Sequence, residues 1–255
     1  MTRRLFLLLL LFGAACSTLP EGQKATKPAS GPPEIRLETV EEHARQFDEE
    51  EPDRPAGSQD ELAASVYIVA HLTEAGYVSR LDAVPVEDLV RSTNVVALAP
   101  SGEEPSALVV VPYDTGEGPD TPGGYSIALW LEVARALRSI EPEHDVQFVA
   151  LGAEHTTVGG GQLGSRRLAQ QLEDEDKSPP VFVVQEIVPG DAVIVAGARA
   201  EAVTEAALGL DIEAIEAPVA PGPREVFDAA GLETTVVAGG VSAAGPALLA
   251  YLASL

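Results

Sequence analysis

The chain has 255 residues, 45% hydrophobic and 22% charged, enough for one large domain or two small ones with a real core. Its formal net charge of -24 argues against a nucleic-acid or anionic-lipid surface, because such a field repels phosphate. The only cysteine, Cys16, leaves no intrachain disulfide to form.

Residues 1–16, MTRRLFLLLLLFGAAC, carry a basic start (Arg3, Arg4), an apolar run and small residues before the cysteine. This is a secretory signal pattern, and its run is shorter than the ~20 residues a membrane-spanning helix needs. The stretch resembles a bacterial lipoprotein signal, although Gly13 stands where a branched aliphatic residue is usual. That resemblance implies a lipidated Cys16 and a chain held at the cell envelope by its lipid alone. A plain secretory signal with an incidental cysteine is the other reading. Residues 17–33, rich in Pro, Gly, Ser, Thr and Lys with no apolar period, predict a flexible tether.

The spacing of Leu62, Val66 and Val69 predicts a helix over 59–75, closed by Gly76, with His71 on its solvent side. His43 falls in a polar helix and His144 at the entry to a strand, so neither is a strong candidate for chemistry. Apolar runs predict strands at 94–99, 107–111, 146–151, 181–185, 192–196, 212–215 and 234–238. Helical patterns fill 124–139, 165–172, 200–208 and 243–254, the first apolar on most faces and so well buried.

Continuous apolar strands separated by helices predict a single α/β domain over 34–255, with a mixed, mainly parallel sheet and helices on both faces. Ligands of such sheets sit outside the carboxyl ends of the strands. Tyr113 and Asp114 follow one strand, Glu154 and His155 another, and Glu186 ends a third, so three loops bring acids and an imidazole to one edge.

The segments RPAGS, NVVALAPSG, VVVPYDT, LEVARAL, VQFVALGAEH, GGQLGS and VFDAAGLETTVV occur in an order that resembles the zinc aminopeptidases of peptidase family M twenty-eight, relatives of the glutaminyl cyclases. The resemblance runs from about Thr39 to the C-terminus. It implies a zinc-aminopeptidase-like fold, two zinc ions held by five side chains, and a glutamate general base. Carried over residue by residue, the family's first His-x-Asp becomes Pro112-Tyr113-Asp114, and the bridging aspartate becomes Pro122. Asp120 lies two places away. The Glu-Glu pair becomes Glu154-His155, the next ligand becomes Glu186, and the segment carrying the late histidine is absent between the last strand and the final helix.

Proline has no side-chain donor, and a catalytic zinc needs about three protein ligands. The resemblance therefore implies a kept frame with a vestigial base, Glu154, no zinc cofactor, and a cleft lined by Tyr113, Asp114, His155 and Glu186 for a peptide or protein partner. An alternative is a hydrolase with a single metal on Asp120, His155 and Glu186. A third reading is a nucleotide-binding module, since Gly159, Gly161 and Gly164 spell G-x-G-x-x-G before a helix. Against it, GAEHTTV separates the strand from the first of these glycines, where the fingerprint needs a glycine in the turn directly after the strand.

Overall fold

The computed structural model describes residues 34–98, 101, 104–116, 123–140 and 144–255. The expected signal and tether, Cys16, Asp120 and Pro122 lie outside the described residues. One sheet is built from β1 (Ser79–Glu87), β2 (Val90–Ala97), β3 (Ala107–Pro112), β4 (Val146–Leu151), β5 (Val181–Val188), β6 (Ala192–Gly197), β7 (Glu213–Glu216) and β8 (Thr234–Gly240). The order across it is β1-β2-β4-β3-β5-β8-β6-β7. The central strands β4, β3, β5 and β8 run parallel. On either side β2 and β6 pair antiparallel to them. The fold is thus a single α/β domain on a mixed, mostly parallel sheet, as the apolar runs predict.

The all-buried β3 shows why those runs are continuous. Ala107, Val109 and Val111 enter one core and Leu108 and Val110 the other, so every position meets a helical layer. The larger core lies under α1 (Leu37–Arg45), α2 (Gln59–Glu74), α3 (Gly124–Ile140), α5 (Ala200–Leu208) and α7 (Val241–Ala253). The smaller lies under α4 (Leu163–Asp174) and α6 (Pro223–Ala229). Trp130 anchors α3 to the sheet, fully buried with its indole N–H donating to Val109 O at 2.9 Å.

The predicted stripe of α2 is corrected by the structure. Leu62 and Val66 are 59% and 60% exposed, while Glu61, Ala64, Ser65, Ile68 and Leu72 face inward. This small-and-polar face can turn inward because Glu61 meets the Ser92 hydroxyl and the Gly57 amide there, and Ser65 satisfies its hydroxyl on Leu62 O of its own helix. His71, expected in solvent, is half-buried against Tyr67 and His43. Val66→Ser should therefore change stability by less than about 0.5 kcal/mol in a urea melt. Ser58→Ala, which removes the oxygen accepting from the Glu61 amide at 3.0 Å, should cost roughly 1 kcal/mol.

Three elements had weak sequence signals. The edge strand β1 contains Pro85 at a register shift, which is where a sheet tolerates proline. The short α6 starts on Pro223 and buries Phe227. In α1, which the sequence predicts to be a polar helix, Val40, His43 and Ala44 are buried.

Candidate functional site

Because β3, β4 and β5 are parallel neighbours, their carboxyl ends lie side by side. Asp114 follows β3, Glu154 and His155 follow β4, and the register pairs Pro112 with Leu151 at this end. The structure brings Asp114, Glu154 and His155 together in one network.

Asp114 is 1% exposed and spends its carboxylate on the neighbouring loop. Oδ1 accepts from the Glu154 amide and Oδ2 from the His155 amide, each at 2.9 Å. The His155 ring is also oriented by it, with Nδ1 at 3.4 Å from Oδ1. Burial opposes the charged ring, but Asp114 and Glu154 outweigh it and raise the pKa of His155. About a third of that ring is exposed.

Glu154 points inward. Oε1 accepts from the Ser165 amide at 2.5 Å in the first turn of α4, and Oε2 pairs with the Ser165 hydroxyl at 3.1 Å. Burial pushes this carboxyl up to about 8, the Ser165 bonds acting in the opposite sense. Tyr113 is buried as well, and its hydroxyl donates to Thr93 O at 2.7 Å. It supports the loop from behind.

Glu186 was expected to end its strand; instead β5 runs on to Val188. Glu186 sits exposed, at φ 53°, where the β5–β8 register shifts between Val184 and Ile187. No hydrogen bond or ion pair among the described residues ties it to Asp114, Glu154 or His155. Among the described residues no three His, Cys, Asp or Glu side chains stand close enough to hold a metal ion. The donors among the described residues fit a zinc pair poorly. Pro112 offers none, Asp114 is engaged by backbone amides, and Glu154 is turned to Ser165.

Several members of this network escape a sequence reading. Glu61 is buried beneath the site, accepting from Gly57 N at 2.5 Å and from the Ser92 hydroxyl. Its pKa is pushed up to about 7, chiefly by burial. Asn94 bridges two elements, donating to Gly164 O at 2.9 Å and accepting from Gly152 N at 3.1 Å. Arg54 is fully buried behind Asp114, with Nε donating to Tyr113 O and Nη1 to Phe47 O, both at 2.8 Å. RPAGS marks Arg54 in the sequence, but nothing marks its partners.

The glycine motif is structural. Gly159 comes well after the end of β4, not in the turn that follows it, and a Cβ at Gly164 would run into Gly152 O and lie 2.7 Å from Asn94 Oδ1. Gly164 lets α4 close on the end of β4, which a phosphate cradle does not require.

Residues 94–203 match the model described as Peptidase family M28. Among solved structures, the leucine aminopeptidase precursor from Bacteroides thetaiotaomicron is 13% identical with a TM-score of 0.72, covering 89% of this chain and 100% of its own. The Porphyromonas gingivalis glutaminyl cyclase is 16% identical with a TM-score of 0.71, covering 86% of this chain and 98% of its own. A Zn-dependent exopeptidase from Parabacteroides distasonis is 14% identical with a TM-score of 0.65, covering 89% and 100%. No curated protein matches by sequence. These likenesses establish the zinc-aminopeptidase-like fold.

Proposed function

We propose that this chain is a non-catalytic member of the zinc-aminopeptidase-like fold, carried at the bacterial cell envelope on a lipidated Cys16, and that its strand-end cleft holds a peptide or protein partner. The observation that carries this reading is the inward commitment of the site. Asp114 serves two backbone amides and Glu154 serves Ser165, while Pro112 stands where the resemblance calls for a histidine. His155 and Glu186 remain to face a ligand. Among the described residues no helix is long and apolar enough to cross a membrane, which is compatible with anchoring by lipid.

A single-metal hydrolase is supported by one feature: Asp114 orients the Nδ1 side of His155, the arrangement by which carboxylates position ligating histidines. Zinc analysis and turnover separate the two readings. Dialysed protein is expected to hold well under one zinc per chain, and a chelator should leave its Tm unchanged. Hydrolysis of aminoacyl anilides and cyclisation of N-terminal glutamine should stay at the blank rate with zinc, cobalt or manganese. General acid–base help alone is worth about 10²–10⁴-fold, far short of what peptide hydrolysis demands. Metal-dependent turnover that vanishes in Glu154→Gln would establish an enzyme and end the non-catalytic reading. Loss of membrane fractionation in Cys16→Ser is the matching result for the anchor; wild-type protein found free and unlipidated would refute it.

A further inference from the structure

On one face of the sheet, α1, α2 and the C-terminal half of α3 enclose a cleft of about 800 Å³. That volume is in the range of small-molecule sites, and none of Tyr113, Asp114, Glu154, His155 or Glu186 lines it. Three rings line it and touch one another. His43 and His71 have centroids 4.5 Å apart, and Tyr67 lies 4.3 Å from His71. His43 is only 8% exposed. Its Nδ1 is 2.7 Å from the Tyr67 hydroxyl, but Nε2 has no hydrogen-bond partner among the described residues. The residue as a whole is buried, but this nitrogen is not among the sealed, unpartnered atoms of the described residues, so it is open to solvent and offers an acceptor to a donor group in the cleft that His43 lines.

The charge of the lining selects that group. Five glutamates and three arginines line the cleft. Arg36 and Arg135 are turned onto the buried Glu132 carboxylate, their Nε atoms at 2.9 and 2.8 Å from it, and the third arginine, Arg45, is exposed, so the four other glutamates outnumber the one arginine not engaged by Glu132. Glu42 and Glu74 act electrostatically on His71, and Glu42 on Tyr67 as well. Neither imidazole offsets this negative field at neutral pH. Burial lowers the pKa of both, that of His43 to about 4, and the neighbouring ring adds to the effect on His43.

We infer that the α1–α2–α3 cleft binds an organic cation, a primary ammonium on an apolar or aromatic stem. The ammonium meets the carboxylates of Glu42 and Glu74 and donates to His43 Nε2, while the stem lies against the Tyr67 ring. Donation to Nε2 selects the tautomer in which Nδ1–H donates to the Tyr67 oxygen, so the existing contact is kept.

The test uses the four histidines of the chain, whose imidazole signals in proton NMR can be assigned one by one with single variants. Phenethylammonium chloride, titrated in 0.15 M salt, should shift the His43 and His71 signals saturably and leave His155 still. Neutral 2-phenylethanol should bind about tenfold more weakly, and 3-phenylpropionate should not shift these signals. Tyr67→Leu should weaken phenethylammonium by about tenfold. Glu74→Gln, on the exposed end of α2, should weaken it by about threefold and covers the case in which Tyr67→Leu fails to fold. Equal binding of the alcohol, shifts centred on His155, or no saturable shift at all would each overturn the assignment.

Discussion

Asp114→Ala should lower the stability of the folded chain by about 3–5 kcal/mol, a fall in Tm of roughly 6–20 °C for a domain of this size. The cause is local and large. The carboxylate takes the amides of both Glu154 and His155 at 2.9 Å inside a site that is 1% exposed at Asp114. Without it two enclosed N–H groups lose their partner, and the buried Arg54 loses a compensating charge. Asp114→Asn keeps one acceptor oxygen and should fall between wild type and alanine. His155→Ala should cost under about 1 kcal/mol, since the ring is partly exposed and its contact with Asp114 is long. Thermal melts of the three variants decide the point. An Asp114→Ala change no larger than that of His155→Ala would mean that the carboxylate exists to orient the ring and not to build the loop.

Glu154→Gln should flatten the alkaline side of the stability profile. In the folded chain burial raises Glu154 to about 8 and Glu61 to about 7, from a usual value of 4.5. Above 4.5 the unfolded chain sheds these protons while the folded chain keeps them. The stability they contribute is therefore complete below 4.5 and is lost as pH rises through 7 and 8. The loss is on the order of several kcal/mol. His43, lowered from 6.5 to about 4, has the opposite sign: its contribution is present above 6.5 and is lost as pH falls through 4. Stability should peak at mildly acidic pH. In Glu154→Gln the amide oxygen can still accept from the Ser165 N–H and its NH₂ can donate to the Ser165 hydroxyl, with nothing to ionise. Urea melts at pH 6 and pH 8.5 should show wild type losing at least about 2 kcal/mol more than the variant between the two. Parallel losses would place the proton elsewhere.

The sheet was legible because burial on both faces writes itself locally: β3 is an unbroken apolar run, β4 is broken only by Gln147, and α3, apolar on most faces, announced a covered helix. The edge strand β1 was not, since solvent on one side leaves Arg80, Asp82 and Pro85 in its sequence. Composition alone determines the net acidic charge, and a proline at 112 rules out a side-chain donor there. Which face of α2 turns inward was decided only by the tertiary structure. Glu61 is drawn inside because Ser92, 31 residues away, and Gly57 meet its carboxyl, and no local period can encode such a partner. The same holds for Asp114, whose role is set by amides 40 and 41 residues further along. Residue types and their order gave the chemistry available at the strand ends. What each carboxyl does there depended on long-range hydrogen bonds, which form only when β3 and β4 lie side by side.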